Sequence, residues 1–142
     1  MNTISRLAGL ATACVLGLSA TGSFAIDVTP QQGVFGQWQL IGSIPVGRAP
    51  SRDTLTLHGF HTDFRSLRFT VANSSIHLNS MAITFDDGTT ANIEIRADIH
   101  PGTQSGAFDL PEGRRHIVAI DFWHQSIGQF HGPAVVSVFG LK

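Results

Sequence analysis

The sequence contains no tyrosine, one cysteine and two tryptophans, and its charged residues make up only 13% of 142 positions. The cysteine, Cys14, stands in an apolar N-terminal run, so the rest of the chain can form no internal disulfide and must be held together by its core. Nine Lys and Arg against ten Asp and Glu leave no concentrated basic surface, which argues against a nucleic-acid partner. The nearest approach to one is the pair Arg65 and Arg68 and the pair Arg114 and Arg115, both read as solvated strand ends. No window of a dozen residues carries the i, i+3, i+4, i+7 apolar stripe of a surface helix. P-loop, G-x-S-x-G and H-E-x-x-H patterns are missing as well. The expectation is therefore a non-enzymatic protein with no cofactor and no catalytic or structural metal.

What is present begins with residues 1–25, "MNTISRLAGLATACVLGLSATGSFA". A short polar start with Arg6, an apolar stretch from Leu7 to Leu18 and a small-residue ending at Ala25 follow the order of a secretory signal peptide. The run is shorter than the ~20 apolar residues that span a bilayer. The expectation is export to the periplasm or the extracellular space, with no stable membrane span in the mature chain; a lipid anchor at Cys14 is the minor alternative. Arg6 is the one charged side chain in this stretch, so the remainder carries ten acidic and eight basic residues, a net charge of −2. An extended segment over 26–36 and one domain over 37–142 are expected, a size that supports a single core.

The mature part alternates with period two. Trp38 and Leu40, Leu55 and Leu57, Leu67, Phe69 and Val71, Ile76 and Leu78, Met81, Ile83 and Phe85, and Ile93 and Ile95 each alternate with polar or small neighbours, as half-buried strands do. Turn-forming clusters separate them, among them "NSS" (73–75), "DDG" (86–88), "HPGTQSG" (100–106) and "PEG" (111–113). About eight such strands predict an all-β fold, a single antiparallel β-sandwich of jelly-roll type. Two breaks in parity predict bulges, one near Val118-Ala119 and one near Asn79-Ser80.

Several residues could carry chemistry. His58, His61 and Asp63 in "HGFHTDF" have a spacing that could gather metal ligands, with His100 or His131 as a fourth, but a polar connection between strands is the favoured reading. Asp86 and Asp87 lack the ligand spacing of an EF-hand and are expected in a type I′-like or bulged hairpin turn. Asp121, His124 and Ser126 are near in sequence, but a triad is defined by geometry. His116 completes the set of histidines that a metal-dependent hydrolase would have to bring together. Trp123 should point away from the core if Ile120 and Phe122 point into it, which makes it a candidate for stacking on a sugar ring.

"WQLIGSIPVGRAPSRDTLTL", "FRSLRFTV", "MAITFDDGTTANIEIR", "GTQSGAFDLPEGRRHIVAIDF" and "AVVSVFG" resemble small secreted bacterial proteins of the YaaI-like type, domain-of-unknown-function family 2541. The resemblance runs from Trp38 to Gly140. It points to recurring residues at Trp38, Gly42, Asp53, Phe64, Arg65, Gly88, Arg96, Asp109, Leu110, Arg115 and Gly140, with departures at Gly106 and His124. It implies an exported β-sandwich and carries no activity over to this chain. Arg65, Arg96, Asp109, Arg115 and Trp123 form the candidate polar or binding surface, with Arg96 and Asp109 as a cross-strand ion pair or the arginines as a groove. The favoured function is binding of a protein or cell-envelope component, glycan included. A carbohydrate- or calcium-dependent binding module is the alternative, and a metal-dependent hydrolase comes last.

Overall fold

The computed structural model describes residues 25–46, 50–111, 113–127 and 132–142. Cys14, His131 and all of the expected signal peptide but Ala25 lie outside them. The period-two segments form strands, ten in all among the described residues: β1 (Ala25–Val28), β2 (Trp38–Val46), β3 (Ser51–Leu57), β4 (Asp63–Phe64), β5 (Ser66–Ala72), β6 (Ile76–Phe85), β7 (Thr90–Ile99), β8 (Phe108–Asp109), β9 (Arg115–Ser126) and β10 (Ala134–Leu141). No helix among the described residues is long and apolar enough to cross a membrane.

The strands divide between two sheets. One runs β1-β3-β9-β6-β7, with β4 also paired to β9; the other runs β2-β10-β5-β8. Their connectivity is a nested set of antiparallel pairs: β6 with β7, β5 with β8, β3 with β9 and β2 with β10. A long hairpin folded over on itself gives this jelly-roll arrangement. Its tip is the "DDG" turn, where Gly88 N–H donates to Phe85 O at 3.0 Å and Phe85 N–H donates to Thr89 O at 2.9 Å. Gly88 has φ of 87°, the left-handed conformation that closes a bulged three-residue hairpin and that glycine adopts without a Cβ penalty.

Both expected bulges are present. The β9–β6 register slips between Ile117 and Ala119, which lets Ile117 and Ile120 both enter the core although they are three residues apart. On β6 the slip falls between Leu78 and Ser80, and Met81 and Ile83 return to the inner face. The start of the 26–36 segment is more than a lead-in: β1 adds to β3 in parallel, Ala25 opposite Thr54 and Val28 opposite Leu57. Among the described residues it is the one parallel pairing, and the other paired strands run antiparallel.

The core lies between the sheets. Phe64, Phe69, Phe85, Leu55, Leu67, Met81 and Ile120 are fully buried, each worth roughly 1.5–3 kcal/mol of transfer free energy. Phe69 from one sheet meets Phe122 from the other edge to face at 5.2 Å between ring centroids, which ties the layers together. The chain crosses between sheets at Arg65: Phe64 pairs with Arg115 on β9, and Leu67 pairs with Phe108 on β8.

Candidate functional site

"HGFHTDF" connects β3 to β4, and of its three candidate ligands His58 and Asp63 go to separate partners. His58 Nε2 is hydrogen-bonded to Asp27 Oδ1 at 3.0 Å, and Asp63 Oδ1 accepts from Lys142 Nζ at 2.7 Å. His116 Nδ1 meets Thr62 Oγ1 at 3.1 Å, and His100 Nδ1 meets Ser75 Oγ at 2.8 Å. No group of three or more His, Cys, Asp and Glu among the described residues could hold a metal ion. Burial pushes the Asp63 carboxyl up, but the hydrogen bond and charge of Lys142 more than offset this and hold it below the usual aspartate value. The stretch is a polar connection, and it presents one apolar group to water: Phe60, 90% exposed. Phe60, Val118 at the β9 bulge and His116 line a shallow groove of about 260 Å³.

Of the "DDG" acids, Asp87 is committed to protein donors. Asp87 Oδ1 accepts from the Thr89 hydroxyl at 2.6 Å and from Thr89 N–H at 3.0 Å, and Oδ2 accepts from Arg115 Nη2 at 3.1 Å. The two Thr89 bonds, with the Arg115 charge, hold Asp87 below its ordinary value. Both carboxylate oxygens are occupied by N–H and O–H groups, the reverse of what a calcium ligand requires.

Asp121, His124 and Ser126 do not combine. Asp121 points outward and accepts from the Thr54 hydroxyl, while His124 points into the core, where its Nε2 lies 2.5 Å from Asp53 Oδ2. Both side chains of that pair are 1% exposed. His124 Nδ1 has no partner among the described residues, and a cavity of about 10 Å³ adjoins the pair, lined also by Ile44, Val46, Leu78, Phe122 and Val136. Among the described residues, no hydroxyl or thiol lines this cavity. The signal for this pair was in the sequence: Asp53 shares the parity of Leu55 and Leu57, and His124 that of Ile120 and Phe122.

The five candidate surface residues fall in different places. Arg96 on β7 donates to Glu94 Oε1 at 2.6 Å, whereas Asp109 on β8, in the other sheet, accepts from Ser66 Oγ at 2.5 Å. The expected Arg96–Asp109 ion pair is therefore not formed, because the wrap puts the two strands in different layers. Arg65 Nε donates to Lys142 O at 3.3 Å, and Arg115 lies over the Phe85 ring at 3.8 Å. Arg68, expected as a solvated strand end, instead lies over the Trp38 ring at 4.3 Å.

Trp123 does face outward, 36% exposed. It lies in a row across the outer face of its sheet: Arg52 on β3, Trp123 on β9, Ser80 on β6 and Glu94 on β7 are successive cross-strand neighbours. Between Trp123 and β7 runs a groove of about 390 Å³, lined also by Asn79, Ser80, Met81, Asn92, Ile93 and Glu94.

A two-sheet jelly-roll with surface grooves and a buried polar pair defines a small all-β domain. The chain belongs to the family described as Domain of unknown function (DUF2541), whose model matches residues 10–140. No curated protein matches it. Among solved structures, a chain from the "Structure of infectious bursal disease virus Gx strain" is similar at 16% identity and a TM-score of 0.31, over 92% of this chain and 40% of that chain. This chain thus spans less than half the length of that viral protein, and so loose a likeness carries no argument here.

Proposed function

We propose that this protein is a non-enzymatic, exported binding domain that engages a protein partner of the cell envelope through the patch at Phe60 and Val118. The observation that carries this reading is Phe60, a whole phenyl ring at 90% exposure on a loop tip. Burying such a ring contributes roughly 1.5–3 kcal/mol, and aromatic anchors of this kind dominate protein interfaces. Val118 extends the apolar area because the β9 bulge turns it outward. His58, held by Asp27, and His116, held by Thr62, supply a polar surround. Export is part of the proposal and rests on the order of residues 1–25.

The test compares the protein with Phe60→Ala in capture of envelope proteins, with Trp123→Ala as a surface control. Phe60→Ala removes no core contact, so its melting temperature should match that of the parent. The expected result is a specific partner held by the parent and by Trp123→Ala, and held about tenfold more weakly by Phe60→Ala, the equivalent of ~1.4 kcal/mol. Equal capture by all three forms would remove the patch from the interface.

A further inference from the structure

On the opposite side of β9 from Arg52, a different surface has the chemistry of a small-ligand site. We infer that the groove between Trp123 and β7 binds a neutral hexopyranose unit of an oligosaccharide, with the indole of Trp123 as the stacking platform. The inference is independent of the Phe60 patch.

Trp123, Ser80 and Glu94 stand in one row across β9, β6 and β7. Adjacent strands are about 4.8 Å apart, so Trp123 and Glu94 stand roughly 10 Å apart across β6, and the small Ser80 between them leaves that space open. A sugar ring set on edge fits such a gap. Its C–H face then lies against an aromatic wall and its hydroxyls point to the other side. The matching groups come from the opposite wall and the floor: Asn92 on β7 and Asn79 on β6 each carry a donor and an acceptor, and Glu94 on β7 carries acceptors. An apolar platform with a few polar groups converging on it is the usual form of a small-ligand site.

Charge narrows the class. Arg96 Nη2 lies 2.6 Å from Glu94 Oε1, so this wall carries a compensated pair beside two neutral amides and does not select an ionised ligand. The backbone is also unusual here. Arg96 has φ of 50° inside β7, at the place where the β6–β7 register slips. A non-glycine residue in this conformation is strained, and such strain gathers at functional sites. The slip at Asn79 and the turn at Arg96 bring the Glu94–Arg96 pair to the rim of the groove. From the β3 side, Arg52 lies 5.9 Å from the Trp123 ring centroid, which orients the indole and leaves its β6 side to the groove.

The experiment is calorimetric titration of the full protein with glucose-, galactose- and N-acetylglucosamine-based oligosaccharides of three to six units, together with a sulfated and a uronic-acid oligosaccharide. The expected result is binding of at least one neutral oligosaccharide. Trp123→Ala should weaken it tenfold or more, Asn92→Ala should weaken it measurably, and Trp123→Phe should keep part of the affinity. Unaltered thermal unfolding of Trp123→Ala would separate loss of the platform from loss of the fold. The inference is overturned if no neutral oligosaccharide binds, if only the charged ones bind, or if Trp123→Ala binds as the parent does.

Discussion

Asp53 and His124 approach to 2.5 Å in the core, each side chain 1% exposed, with aliphatic and aromatic side chains around them. A polar pair in such a place is costly to desolvate, and its mutual hydrogen bond offsets that cost only while both partners remain. The alternation of β3 and β9 would accept apolar residues at both positions. What the pair adds is register, because Asp53 faces Phe122 and Ser51 faces His124 only in the native pairing of the two strands. Removing one partner by Asp53→Ala or His124→Ala should cost about 3–5 kcal/mol, read as a lowered midpoint in urea unfolding. The double replacement Asp53→Leu with His124→Phe should recover most of that loss. If each single variant unfolds like the parent, the pair contributes nothing to the fold. Sequence parity marked both residues as inward, but their partnership across 71 positions depends on the wrap of the whole chain, which no local pattern encodes.

Among the elements, those legible in advance were the ones with a local cause. The long alternating strands, the "DDG" hairpin and both bulges followed from period-two patterning, from Gly88 and from the two parity breaks. The short elements did not. β4 and β8 have two residues each, too few to show a period, and the four-residue β1 gains its place from the free edge of β3 rather than from its own sequence. For the same reason the Trp123 groove was half legible: the outward indole followed from parity, while the wall opposite it required knowing that β7 lies beyond β6. Packing between elements also gives Gly140 a reason that its place in β10 does not suggest. A Cβ there would come within 2.8 Å of the Ile41 side chain and closer still to the Phe64 ring. Phe64 is fully buried and cannot give way freely, so Gly140→Ala should destabilise the protein by about 1–3 kcal/mol through overpacking. A melting temperature unchanged from the parent would show that the two sheets can separate locally to admit the methyl group.

At the scale of the molecule, the wrap brings residues far apart in sequence to one end of the sandwich, and an ion pair joins them there. Lys142, itself buried, donates to Asp63 from 79 positions away, and Arg114 Nη1 lies 3.7 Å from the other carboxylate oxygen. Gly36 N–H and Arg65 Nε both donate to Lys142 O, so the same residue also ties the segment before β2 to the crossing between the sheets. Because Asp63 is held below its ordinary value in the folded protein, the unfolded chain binds a proton there first as the pH falls. Its stabilisation is therefore complete above the unfolded value of about 3.9 and is lost as the pH falls through the lower folded value. Asp87, bound by Thr89 and Arg115 at the hairpin tip, acts in the same direction, although its place on the surface leaves it open to screening by salt. The urea midpoint of the parent should hold from pH 7 to about pH 5 and then drop steeply below about pH 4. Asp63→Asn should start lower at pH 7, since the Lys142 and Arg114 charges lose their counterpart, and should fall less steeply in acid. Parallel acid profiles for the parent and Asp63→Asn would place the acid sensitivity in other carboxylates and leave the Lys142 contact as packing alone.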